Sequence, residues 1–158
     1  MVKNYAVKEL STEHRLIHYI ESRNGYVIKN QATAMTGQGK PDLSACLNGH
    51  YVAIEVKRED NQRKTKWNQI LNLAKVAKAG GYAYISCTED CLKDITNTYH
   101  SSTILVTDIT TLSKVSQLEM LTTVKHLLRD PTFAWIKFQF LPESNQHLVT
   151  FVRKESVA

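Results

Sequence analysis

The chain has 158 residues, 42% hydrophobic and 22% charged, enough apolar content for one ordinary domain with a core and too much for a disordered chain. No apolar run approaches the ~20 residues of a membrane span, and Met1-Val2-Lys3-Asn4-Tyr5 opens no signal-peptide pattern, so no membrane association and a cytoplasmic location are expected. The formal charge of +5 fits a polyanionic partner.

The first predicted element is a helix from Thr12 to Arg23. Ser11 or Thr12 can cap it, and Asn24-Gly25 can stop it. Leu16, Ile17 and Ile20 form its inward stripe, and Glu13 stands at helical spacing from all three, so an acid points with the apolar residues. Two readings are open for it: an acid with a partner in the interior, or a first-turn glutamate complementing the helix dipole. Tyr26 to Asn30 reads as a strand. Gln31 to Lys40 is a polar loop carrying Gly37 and Gly39, of the kind that connects elements or closes on a substrate backbone.

A hairpin follows. Leu43–Leu47 and Tyr51–Ile54 read as strands joined by Asn48-Gly49, a strong two-residue turn signal that also fixes the register. With Leu47 opposite His50, Leu43 faces Ile54, and one step further Asp42 lies opposite Glu55. Side chains alternate along a strand, so Lys57 projects from the same face as Glu55. Carboxylates held across a strand pair repel. They therefore share a proton, bind a hard cation, or belong to a solvated charge cluster on the hairpin. Two carboxylates beside a lysine suit a Mg²⁺ that holds a phosphate and an attacking water. Arg58, Arg63, Lys64 and Lys66 follow in a polar run that is either a solvated linker or a phosphate-contacting segment.

A second helix is expected over Lys66 to Ala79, with Trp67, Ile70, Leu71, Ala74 and Ala77 as its apolar face and Gln69 off that face beside Leu73 and Val76. Tyr82 to Cys87 is an apolar strand. Strand, helix, strand makes a crossover, so this strand should run parallel to the one carrying Glu55. Cys46, Cys87 and Cys91 lack zinc-ribbon spacing, so reduced thiols are expected rather than a metal site with His100. The last third reads as a strand at Thr103–Thr107, a helix at Leu112–Leu128 and a hairpin of Phe133–Phe140 with His147–Arg153. The helix carries an apolar repeat of Val115, Leu118, Leu121, Val124 and Leu128. Trp135 and Lys137 share a strand face that either meets nucleic acid or caps the core or a dimer interface.

This order of elements, with Pro41-Asp42 and Glu55-Val56-Lys57, resembles the PD-(D/E)XK nuclease superfamily. Gly39-Lys40-Pro41-Asp42-Leu43, Asn48-Gly49-His50 and Ala53-Ile54-Glu55-Val56-Lys57-Arg58 resemble the stand-alone VRR-NUC nucleases, and Gln69 stands where that family carries a glutamine. Archaeal Holliday junction resolvases are similar more distantly. The resemblance covers about Thr12 to Thr88, and departs from the family in a slightly longer loop after Lys57. It implies an α/β fold with a restriction-endonuclease-like αβββαβ core on a mixed sheet over residues 1–100. Residues 101–158 would form a helix and β-hairpin extension, packed on the core or forming an oligomer interface. It implies a metal-dependent DNA endonuclease in which Asp42, Glu55, the Val56 carbonyl and Glu13 hold Mg²⁺, replaceable by Mn²⁺. Lys57 would handle the attacking water and Gln69 would support the site, while Lys40, Arg58, Arg63, Lys64 and Lys66 are the candidate DNA contacts. The expected substrate is branched DNA such as a Holliday junction, and the expected assembly a homodimer. A restriction-type or end-processing nuclease and a non-cleaving nucleic-acid-binding module are the alternatives.

Overall fold

The computed structural model describes residues 5–31, 39–60, 62–93 and 97–155, with side chains from residue 11 onward. The chain is α/β, with three helices and one mixed sheet of seven strands. In chain order the elements are α1 (Tyr5–Ser22), β1 (Tyr26–Lys29), β2 (Leu43–Leu47), β3 (His50–Val56), α2 (Trp67–Lys78), β4 (Tyr82–Ser86), β5 (Tyr99–Thr107), α3 (Lys114–Leu128), β6 (Phe133–Leu141) and β7 (Gln146–Lys154). Short 3₁₀ turns at Glu89–Leu92 and Ile109–Thr111 follow β4 and β5. The sheet order is β1-β2-β3-β4-β6-β7-β5, antiparallel throughout except for the β3–β4 pair. No described helix is long and apolar enough to cross a membrane.

The hairpin forms as its turn dictates. Asn48 at φ 53° and Gly49 at φ 77° take the two left-handed positions of a tight turn whose twist matches the strands. The resulting register pairs Leu47 with His50 and runs to Leu43 opposite Ile54. The run Val52-Ala53-Ile54-Glu55-Val56 is buried throughout, as a central strand covered on both faces must be. Val52, Ile54 and Val56 face α1, while Ala53 faces α2 and α3. Glu55 therefore points to the α2 side, and so does Lys57.

α1 begins earlier than expected. The segment from Tyr5 continues into it without a break, so Ser11 and Thr12 lie inside the helix and do not cap it. Glu13 consequently sits well past the first turn, which removes the helix-dipole reading, because that effect fades beyond the terminal turn. α2 is also rotated from the expected stripe. It buries Ile70, Leu73, Ala74 and Ala77, whereas Leu71 is only half-buried. The helix is covered by the sheet and by α3 together, so its buried arc is wider than a single stripe. That rotation carries Gln69, one turn before Leu73, over the sheet.

Beyond residue 100 the chain extends the same sheet. β6 pairs with the free edge of β4, and one apolar cluster joins Ala53 and Ile85 to Phe138, Val149 and Phe151. α3 is capped by Ser113, whose hydroxyl accepts from the Ser116 N–H at 3.3 Å. Its buried residues are Met120, Val124 and Leu128, while Val115 and Leu118 of the expected stripe are 69% and 64% exposed. Trp135 is buried, edge-on to the Tyr99 ring at 4.7 Å, so it belongs to the core rather than to a nucleic-acid platform. The Lys137 ammonium lies 5.1 Å from the centre of the Tyr82 ring.

Candidate active site

Asp42 occupies the position just before β2. The ladder ends at Leu43 and Ile54, and the next step brings Asp42 beside Glu55. The Asp42 carboxylate turns into the gap and accepts the Val56 N–H at Oδ2, 2.8 Å away. Its backbone is held from the other side by Asn30. That residue's N–H donates to the Asp42 carbonyl at 2.8 Å, and its side-chain amide reaches the Pro41 carbonyl at 2.8 Å and the Ser44 hydroxyl at 2.7 Å. Pro41 cannot donate, so the approach to Asp42 is fixed mainly by this one asparagine. Gly39, at φ 88°, lies against α2. A Cβ there would come within 2.8 Å of the Asn68 backbone, which excludes any larger residue at this crossing.

Glu55 is 4% exposed. Its Oε1 accepts the Gln69 side-chain N–H at 3.0 Å and lies 3.7 Å from the Lys57 ammonium. Lys57 is itself buried, 3.4 Å from Gln69 Oε1, and its backbone N–H extends the β3–β4 ladder to the Ser86 carbonyl at 2.8 Å. Gln69 holds its place because it is the third residue of α2. There its oxygen accepts from the Lys66 N–H at 3.3 Å, the back-bond of a helix-capping box, and from the Thr65 hydroxyl at 3.2 Å.

The electrostatics follow from burial. Desolvation pushes the Asp42 carboxyl above the ordinary carboxylate value. The Val56 N–H, a hydrogen bond with the Glu55 carboxyl and the charge of Lys57 pull the other way, and the charge of Glu13 adds to the rise. Two further acids, Glu55 on β3 and Glu13 on α1, thus act on Asp42. Glu13 reaches the group from α1, 8% exposed, and the Lys29 ammonium at the end of β1 sits 2.9 Å from its Oε1. Among the described residues no three His, Cys, Asp or Glu side chains gather closely enough to hold a metal by themselves.

The expected basic contacts divide. Lys40, Lys64 and Lys66 are exposed. Arg58 is half-buried and paired with Asp60 at 2.7 Å. Arg63 is a correction: it is 4% exposed and its guanidinium is directed inward. It donates to the carbonyls of Arg58 and Glu59 at 2.6 Å, of Leu128 at 2.9 Å and of Asp130 at 3.3 Å, and stacks 4.9 Å from the Phe133 ring centre. Its fifth N–H approaches the Cys87 Sγ at 3.9 Å. A residue so engaged ties the loop after β3 to the end of α3 and has no donor left for phosphate. A cleft of about 270 Å³ is lined by Lys57, Arg58, Gln62, Lys64 and part of Arg63 itself, so the buried lysine of the site faces basic surface.

Sequence reasoning brought Asp42, Glu55, Lys57, Gln69 and Glu13 into consideration, and the fold gathers all five. It missed Asn30 and Lys29. Both lie at the end of the segment read simply as a strand, with no role given to either, and a polar pair at a strand end just before the glycine-bearing loop was the available signal. Gly37, in the loop read as either connecting elements or closing on a substrate backbone, lies outside the described residues. All three cysteines are free thiols, with Cys87 and Cys91 buried. No family model, curated protein or solved structure matches the chain.

Proposed function

We propose that this chain is a metal-dependent DNA endonuclease that hydrolyses phosphodiester bonds, with a preference for branched DNA. The observation that carries the reading is the abutting pair Asp42 and Glu55 with Lys57 two residues on, all drawn from one hairpin and the strand end that follows it. The element order α1-β1-β2-β3-α2-β4, with β3 and β4 parallel, is consistent with the αβββαβ core expected from the resemblance, and supports the reading further.

The residues fit a small hard cation. Mg²⁺ keeps several waters and needs only one or two carboxylates together with substrate phosphate, so a third acidic side chain is not required. Asp42 and Glu55 would hold it with the Val56 carbonyl, which leaves the strand on the same edge as the N–H that meets Asp42, and Glu13 would join directly or through water. Mg²⁺ or Mn²⁺, when bound, supplies charge stabilisation at the phosphoryl oxygens. Lys57 would orient the attacking water as an ammonium or, as the neutral amine, take its proton, since its amino group lies beside Glu55 and opens on the basic cleft. Gln69 fixes the Glu55 carboxylate. Lys40, Lys64 and Lys66 guide the phosphate backbone, with Arg58 available once it leaves Asp60.

A cleavage panel of four-way junctions, flaps, duplexes and single strands, run with Mg²⁺, Mn²⁺ or chelator, tests this. Cleavage is expected only with the metal, and Asp42→Asn and Glu55→Gln are expected to abolish it while sparing DNA binding. Undiminished cutting in chelator would sink the mechanism. Binding without cleavage of any substrate would leave the non-cleaving module as the correct reading.

A further inference from the structure

The two edges of the sheet are built differently. At one end β1 is short, four residues, and finishes on Lys29, a usual way of keeping an edge from recruiting another strand. At the other end β5 is nine residues long, Tyr99-His100-Ser101-Ser102-Thr103-Ile104-Leu105-Val106-Thr107, with no Asp, Glu, Lys, Arg or Pro. Among the described residues it pairs with β7 along its whole length and with no strand on its other side. From Ser101 to Leu105 every residue is exposed, on both faces: Ile104 is 38% and Leu105, pointing the opposite way, 57%. The strand thus stands proud of the core, rich in β-branched residues, with its outer N–H and C=O groups in solvent.

We propose that β5 is a self-association edge that pairs antiparallel with β5 of a second copy of this chain about a two-fold axis, joining two seven-strand sheets into one. A second copy is the occupant because the edge is its own complement. Antiparallel pairing of one strand with itself is an isologous contact that closes at two subunits. It places no like charges opposite each other, which is the usual obstacle to such pairing. Ile104 and Leu105 then gain cover on opposite faces of the sheet from Ser and Thr side chains of the partner strand. The pairing does not depend on the nuclease reading; if that reading holds, each particle carries two sites.

The test is sedimentation equilibrium of the full chain at tens of micromolar. The wild type is expected at twice the 18.0 kDa of one chain. The double variant T103K/L105K, which sets lysines opposite lysines across the axis while leaving their heads in water, is expected at half that mass with unchanged circular dichroism. Leu118→Lys, at an exposed apolar position on α3, is expected to remain dimeric. In a Cys46→Ser background, single cysteines at Ser101, Thr103 and Leu105 are expected to cross-link on oxidation at one position nearest the axis. A monomeric wild type, a dimer that survives the double substitution, dissociation by Leu118→Lys, or no cross-link at any of the three positions overturns the proposal. The cross-linking decides the matter if the lysine variant does not fold.

Discussion

Gln69 donates its side-chain N–H to Glu55 Oε1 at 3.0 Å while its own oxygen is held by the Lys66 N–H at the start of α2. A helix terminus thereby positions a buried carboxylate on a neighbouring strand. Gln69→Ala removes the clamp and leaves Glu55 with fewer partners in a desolvated site. A partner of a metal-binding carboxylate is worth roughly 10- to 100-fold in metal affinity or activity. A loss of that size in both cleavage rate and Mn²⁺ affinity by titration calorimetry is expected, with DNA binding retained. Gln69→Glu sets a like charge beside Glu55 and should be the more damaging of the two. Equal, near-wild-type behaviour of both variants would make Gln69 a helix cap and nothing more.

Glu13 is the second residue whose role the geometry separates from a bland alternative. It is buried, past the first turn of α1, and faces Lys29 at 2.9 Å. Glu13→Gln should lower cleavage roughly tenfold or more, whereas Glu21→Gln, exposed near the other end of the same helix, should leave the rate unchanged. Lys29→Met should weaken Glu13's hold without removing it, giving an intermediate rate. Similar rates for the Glu13 and Glu21 variants would show that Glu13 only balances Lys29.

The parts of the fold legible in the sequence are those fixed by local rules. Asn48-Gly49 fixed the turn, the turn fixed the register, and the register brought Asp42 to Glu55. The crossover from β3 to β4 followed from the order of elements. What was not legible depended on distant packing. The face of α2 was set by β6 and α3, which the local periodicity of the helix does not encode. Val115 and Leu118 follow the helical repeat of α3 yet are exposed, while Met120, Val124 and Leu128 carry its packing. Arg63 stands in a run of similar cations, and only the return of the chain at Leu128 and Asp130 distinguishes it.

Arg63 and its neighbours should therefore separate in experiment. Arg63→Ala removes the buried bond to the Leu128 carbonyl and the half-buried bonds to the carbonyls of Arg58, Glu59 and Asp130, and should cost about 3 kcal/mol of folding stability, read by urea denaturation. Lys64→Ala and Lys66→Ala, at exposed positions, should leave stability within about 0.5 kcal/mol. Each should instead make the dependence of DNA affinity on salt shallower by roughly one unit of slope. An Arg63 variant with full stability and a reduced salt slope would restore it to the phosphate-binding set.

His147 sets a pH limit on the fold. It is fully buried on β7, where Nδ1 accepts the Ile109 N–H at 3.0 Å and Nε2 lies 2.9 Å from the Ala74 carbonyl, to which it donates in the neutral ring. Burial lowers its proton affinity below the ordinary histidine value, and Lys78 adds to this, while the Ala74 contact and Asp108 oppose it. Asp108 stays ionised: although burial would raise it, Lys78 and Thr110 hold its carboxyl below the usual value. As the pH falls below about 6.5, an unfolded chain protonates this histidine while the folded chain does not. The unfolded state then binds more protons, so stability falls with falling pH in that window. The Asp108 contribution is lost only lower, as the pH drops below the ordinary carboxylate range. His147→Leu should flatten the slope of stability between about pH 6.5 and 5. It should also lower stability at neutral pH by about 2 kcal/mol, because the Ile109 N–H and the Ala74 carbonyl lose their partner. Urea midpoints measured across that range decide it: an unchanged slope in the variant would mean that His147 takes up its proton inside the fold.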